Sequence, residues 1–393
     1  MVKKTLFLLA TCQGLMLSGN SLSVASSALV GVALSPNPRL ATLPLGLLAV
    51  CMMLTMIPAS LLMKHYGRRA GFMLGGSAGV VGGLACSFGI FQNSFIIFCA
   101  GAAIYGVAIA FGQFYRFAAA EIVDASYKSR AISWVLAGGL VAAFIGPNTA
   151  SLTRDLIPNA AFAASYIALA LFSLGIIIIQ IFVRIPKPSN DEIEGHQRPI
   201  HIVLAQPTFI VAVVCAMIAY ATMNLLMSAT PLAMNIRSMP FSDTALVIQW
   251  HLVGMFAPSF FTGNLIDRYG VLKIMFVGAL ILITCALIAL SGQLYSHFIV
   301  GLIFLGIGWN FLYIGGTTLL TEVYLPTEKG AVQGINEFMV FSATSLTALS
   351  SGYLHYTFGW EKLNFYAIPL ICFAAIMIAL LAWKTRSVQP EVA

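Results

Sequence analysis

Ala120-Glu-Ile-Val-Asp-Ala-Ser-Tyr-Lys-Ser-Arg130 returns later in the chain as Thr321-Glu-Val-Tyr-Leu-Pro-Thr-Glu-Lys-Gly-Ala331, in register and without a gap. Glu121 falls on Glu322, Ser126 on Thr327 and Lys128 on Lys329. A second repeat lies upstream of each copy: Tyr66-Gly67 matches Tyr269-Gly270. These polar stretches punctuate long apolar blocks, so the chain reads as one plan written twice. Two parallel copies of a helical bundle, related by an axis along the membrane normal, are a transporter architecture with its site near mid-membrane.

The blocks themselves demand a bilayer. Of the 393 residues, 60% are hydrophobic and 8% charged, and mean hydropathy is +0.93. Soluble domains carry about 25% charged residues. Twelve blocks, near 5–34, 40–63, 70–91, 95–123, 131–153, 160–183, 207–235, 243–266, 271–291, 295–324, 331–354 and 362–383, approach or exceed the roughly 20 residues that a spanning helix needs. Backbone groups in hydrocarbon must be satisfied internally, and the blocks do not alternate as barrel strands would. The expected fold is therefore an all-α membrane protein of 12 transmembrane helices in two pseudo-symmetric six-helix bundles. The proline-bounded, charged stretch Lys187–Pro199 divides them. Residues 1–184 and 207–393 are expected to be the bundles, and 185–206 a cytoplasmic linker.

Charge fixes the expected orientation. With both termini cytoplasmic, fifteen of the twenty Lys and Arg fall in segments on that side. Four (Arg39, Arg154, Arg237 and Lys362) fall outside, and Arg116 lies within a span. That bias follows the positive-inside rule. It accounts for the net charge of +7 without a nucleic-acid partner. The start Met1–Ala10 looks like a secretory signal, but its apolar run continues to Leu34, so it reads as an uncleaved first span. The seven cysteines all sit in apolar blocks, as small packing residues. No residue spacing suggests a metal site or a cofactor, and none is expected.

Gly263-Asn-Leu-Ile-Asp267-Arg268-Tyr-Gly270 resembles the loop signature between the second and third helices of each half in the major facilitator superfamily. The first-half copy, Ser60-Leu-Leu-Met-Lys64-His65-Tyr-Gly67-Arg68-Arg69, keeps the Gly-Arg-Arg end but has Lys64 where an acid is expected. Gly67 and Gly270 suit a tight turn between antiparallel helices. Arg68, Arg69, Asp267 and Arg268, with Glu121, Arg130, Glu322 and Lys329 at the same level, would pair into a gate at the inner mouth. They would alternatively only orient the helices. Gly146-Pro147 resembles in part the fifth-helix motif of the drug/proton antiporter branch and is a candidate hinge or a plain kink. Gly71, Gly75, Gly79 and Gly83 form a smooth face for close helix contact.

Polar residues within spans are expensive in lipid and mark a cavity or a partner. The resemblance implies that the first, fourth, seventh and tenth helices line the cavity. Its candidate residues are Gln13, Asn20, Gln113, Tyr115, Arg116, Tyr220, Asn224, Trp309, Asn310 and Tyr313, with Gln249 and His251 from the eighth span. Arg116 could clamp an anionic or carbonyl-bearing solute, pair with Glu121 or Glu337, or snorkel to the inner surface. Glu337, His251 and Glu121 are the candidates for carrying a proton. An aromatic, amide-lined cavity with one Arg suits an organic solute with an apolar body and a few polar groups.

The expected function is a secondary active transporter of the bacterial inner membrane that moves a small organic solute by alternating access. Proton-coupled efflux is the first reading. Proton-coupled or facilitated import of a nutrient, such as a vitamin or siderophore, is the alternative. A monomer is expected, with the bilayer, solute and protons as its partners. A membrane-embedded enzyme would need a clustered metal or nucleophile site, and the six histidines are dispersed.

Overall fold

The computed structural model describes residues 2–35, 40, 42–186 and 195–388. Residues 187–194 of the expected linker lie outside them. Among the described residues every long element is an α-helix. Eleven helical stretches are long and apolar enough to cross a bilayer: Val2–Leu34, Leu43–Tyr66, Arg68–Phe91, Phe95–Glu121, Ala125–Thr153, Ala163–Phe182, Pro207–Ile236, Ser242–Tyr269, Val271–Ser291, Tyr295–Leu320 and Tyr353–Thr385. The remaining crossing lies in the 60-residue helix Lys329–Val388, which is interrupted at Gly359 (φ 79°, ψ 170°). At about 1.5 Å per residue its length is near 90 Å, three times a bilayer core. It is therefore two helices, 329–358 and 360–388, and completes the twelve. The sequence leaves 355–361 between two apolar blocks; the structure joins the helices through a single glycine torsion.

Three further helices are broken inside their spans, the fourth span between Gly112 and Tyr115. The eighth stops at Phe256 and restarts at Ser259. Pro258 lacks an N–H and cannot continue the ladder. The fifth breaks at Gly138, between Lys128–Ala137 and Gly139–Thr153. Pro147 lies inside the second of these helices.

The chain divides into two compact units. Unit 1 comprises Met1–Asp124, Trp134–His196 and Lys329–Phe338; unit 2 comprises Ala125–Ser133, Gln197–Glu328 and Met339–Ala393. In unit 1 the third span packs on the fourth and sixth, the second on the fourth, and the first on the fifth and sixth. In unit 2 the seventh, eighth and ninth spans pack on the tenth. The glycine face of the third span explains its fit. A Cβ on Gly83 would stand 2.9 Å from the backbone of Ala170 in the sixth span. One on Gly75 would stand 2.5 Å from Phe111 in the fourth. The repeat is visible in burial as well: residues 109–120 of the fourth span and 308–321 of the tenth are buried without interruption.

Candidate functional site: two buried polar clusters

Gly67 and Gly270 both take positive φ, at 88° and 91°, with ψ of 159° and 146°. Side-chain-bearing residues rarely hold that backbone, so each loop turns on a glycine. Gly263 serves a different end. A Cβ there would lie 2.6 Å from the Arg130 Cα, so its absence lets the end of the eighth span touch the start of the fifth within unit 2.

That approach aligns an ion pair. Arg130 Nε donates to Asp267 at 2.5 Å, half-exposed. Unit 1 is wired differently, because Lys64 stands at the position matching Asp267. Lys64 is buried, with its stem against Gly330. Arg68 instead takes the acidic partner: its Nη2 donates to Glu121 at 2.5 Å, its Nε to the same carboxylate at 3.2 Å, and Nη2 also reaches Gln333. Lys329 lies 3.7 Å from Glu121, and Ser60 donates to the Gly330 carbonyl at 2.7 Å. Arg69 donates to the carbonyl of Ile181, Arg268 lies over the ring of Tyr269, and Glu322 is exposed. A second pair at the same level of unit 2 went unread in the sequence. Arg198 binds Glu328 through Nε (2.8 Å), Nη2 (2.6 Å) and its own backbone N–H (2.9 Å). These charged hydrogen bonds hold the Glu328 carboxyl down at about 2, well below the usual carboxylate range.

Deeper in unit 1 lies the cluster around Arg116. Its Nη2 meets Glu337 Oε1 at 2.5 Å, with the two side chains 2% and 0% exposed. Nη1 donates to the Gln113 carbonyl at 2.7 Å, and the guanidinium lies 4.5 Å over the ring of Phe117. Asn336 donates to Glu337 Oε1 at 2.6 Å, while Glu337 Oε2 is buried without a hydrogen-bond partner. Of the two acids expected within reach of Arg116, Glu337 is the one it pairs with. Gln13, Gln113 and Tyr115 are buried in the same unit, Tyr115 against Phe72 at 4.3 Å, and Asn20 is half-buried. Gly146 approaches the first span so closely that a Cβ would sit 2.7 Å from the Ser18 carbonyl. The serines of that span, overlooked in the sequence, form a polar cluster: Ser26 and Ser27 both reach the Tyr166 hydroxyl, at 3.1 and 2.8 Å.

Unit 2 carries an aromatic cluster instead. Trp309 and Tyr313 stack at 4.9 Å and 24°. Tyr220 stands edge-on to both, at 5.2 and 4.8 Å, and Phe341 meets Tyr220 at 5.3 Å. Trp309 and Tyr313 are buried and Tyr220 is half-buried. Trp309 Nε1 has no hydrogen-bond partner. Asn224 donates to the Thr344 carbonyl and to Thr347. Asn310 is bound to the broken eighth span: it donates to the Met255 carbonyl (2.7 Å) and to Ser259 (2.6 Å) and accepts from Thr262 (2.7 Å). Its bonds to Met255 and Ser259 reach both sides of the interruption at Pro258. His251 is buried, with Nδ1 at 2.8 Å from the Leu302 carbonyl and Nε2 without a partner; Gln249 is half-buried.

Apolar helices of bilayer length, with buried polar clusters in each of two units, define a multi-pass membrane protein. The family model for the Major Facilitator Superfamily matches residues 6–249 and 212–393. The chain belongs to that superfamily and is a multi-pass secondary transporter. It is 39% identical over 380 residues to the riboflavin transporter RfnT of Brucella anthropi, covering 96% of each chain. Among solved structures it resembles the proton:xylose symporter XylE, with a TM-score of 0.77, 12% identity and coverage of 97% of this chain and 95% of that one. It also resembles the transporter FucP, with a TM-score of 0.75, 17% identity and coverage of 95% and 97%.

Proposed function

We propose that this protein carries riboflavin, or a flavin of similar shape, inward across the bacterial cytoplasmic membrane, with both termini in the cytoplasm. The observation that carries the reading is the 39% identity, over 96% of both chains, to a riboflavin transporter. It favours the vitamin alternative over efflux, for which only the partial Gly146-Pro147 motif speaks.

The chemistry of the clusters supports it. A flavin is a flat tricycle with a polar imide edge and a polyol tail. The Tyr220–Trp309–Tyr313 group offers aromatic faces and edges of the kind that hold a flat ring, and such pairs contribute about 0.5–1.5 kcal/mol each beyond area burial. Gln13, Gln113 and Asn20 are amides suited to hydroxyl groups. Arg116 and Glu337 form the coupling device in this reading: a proton on the bare Glu337 Oε2 breaks the pair and frees the guanidinium. Residues 1–184 and 207–393 act as the two bundles that expose the solute alternately, and Arg68–Glu121 and Arg130–Asp267 close the cytoplasmic end.

The test is uptake of labelled riboflavin into proteoliposomes with and without an imposed pH gradient. Saturable uptake accelerated by an acid exterior supports the proposal. Saturable flux without any response to the gradient removes the proton. Exchange driven only outward by an acid exterior restores efflux, and no riboflavin flux in either direction rejects the substrate.

A further inference from the structure

At the opposite end of unit 2 from the Gly270 turn, a cavity of about 440 Å³ opens where the seventh span ends, the ninth passes to the tenth, and Gly359 joins the last two helices. Its volume is in the range of small-molecule sites. His355 lines it. The imidazole is 3% exposed, and neither Nδ1 nor Nε2 has a hydrogen-bond partner. A buried polar group without a partner destabilises the fold. Chains keep such groups where something else satisfies them.

The rim around His355 is built rather than incidental. Arg237 Nε donates to Gln293 Oε1 at 2.8 Å, and Gln293 Nε2 donates to Glu361 at 2.8 Å. The amide thus holds a cation and an anion apart instead of letting them neutralise each other. Each keeps hydrogen-bonding capacity to spare, since a guanidinium has five donors and a carboxylate about four acceptor sites. Trp360, 5% exposed, supplies an indole wall.

We infer that this cavity is an entry subsite that captures a planar heteroaromatic solute through one polar atom on its edge. A neutral imidazole carries one donor N–H and one acceptor nitrogen that point away from each other, so His355 can make a single hydrogen bond, to a ring carbonyl or from a ring N–H. The indole covers a ring face, and Arg237 and Glu361 take hydroxyls at the mouth. The inference rests on the flavin reading, which makes the transported vitamin itself the occupant. On the orientation proposed above the cavity faces outside, so an arriving solute meets it first.

The test is initial-rate riboflavin uptake by wild type, His355→Leu and His355→Gln in proteoliposomes. The leucine variant is expected to raise the half-saturation concentration about tenfold at unchanged maximal rate. Glutamine, which again offers one donor and one acceptor face, is expected to restore most of the affinity. If the leucine variant fails to purify as a monodisperse protein, Glu361→Gln and Arg237→Gln give the same readout at the exposed rim, with rises of a few-fold. An unchanged half-saturation concentration in the presence of robust uptake overturns the subsite and leaves the flavin reading standing. Absence of riboflavin uptake by the wild type overturns both.

Discussion

Replacing Arg116 by alanine leaves the Glu337 carboxylate buried beside Asn336 with its counter-ion gone. With charge centres about 4 Å apart, the pair attracts by about 4 kcal/mol at an effective dielectric near 20. Desolvation of the two ions offsets most of that in the folded protein, so the pair's net contribution is small. Removing one member is a different matter, because the other then bears its desolvation alone: about 3–5 kcal/mol is lost. Removing both is expected to recover most of it. The measurement is a double-mutant cycle of Arg116→Ala, Glu337→Ala and the double variant, read by equilibrium unfolding in mixed micelles. Each single variant should be destabilised by about 3–5 kcal/mol, and the double variant by clearly less than their sum. Additive losses, or a single variant within about 0.5 kcal/mol of wild type, would refute the view that these residues act as one buried unit. Transport separates structure from coupling: under the proposed flavin function, Glu337→Gln keeps the shape and should retain riboflavin exchange while losing its response to a pH gradient.

Gly270→Ala has open space around the new methyl but an unfavourable φ of 91°, so it should cost about 1–3 kcal/mol in the unfolding assay from backbone strain alone. Gly83→Leu meets the backbone of Ala170 and Tyr166 in the sixth span and should reduce folded yield far more than the same change at Gly46, which has nothing within 4 Å. The Arg198–Glu328 pair makes stability pH-dependent with a definite sign. The carboxyl is held down at about 2, so its contribution is complete above the ordinary glutamate range and is lost as pH falls through that range towards 2. Unfolding midpoints between pH 6 and pH 2 should fall more steeply for wild type than for Glu328→Gln. Asp267→Asn, at the half-exposed Arg130 pair, should change stability by under about 1 kcal/mol.

The periodic and repeated parts of this fold were legible in the sequence because they follow from local rules. Apolar runs of bilayer length gave the spans, and the matched loops placed Gly67 and Gly270 where the chain turns through positive φ. Partner choice was less legible. Arg116 had two acids within plausible reach, and only the packing assigns it to Glu337. Asn310 read as a cavity amide, yet it serves the interruption at Pro258, which depends on two helices meeting side by side. The serines beneath Tyr166 and the cavity under His355 assemble residues from distant segments and leave no linear pattern. The cargo was beyond composition altogether: amides, rings and one arginine fit many solutes, and the kinship to a vitamin carrier narrowed the choice.

The single-residue joint at Gly359 has a mechanical outcome. The two helices it connects have no slack between them, so the tail of one and the head of the other must travel together. Whatever lifts the end of the penultimate rod lifts the head of the last one within one peptide unit, while the two glycine torsions leave their relative tilt free to change.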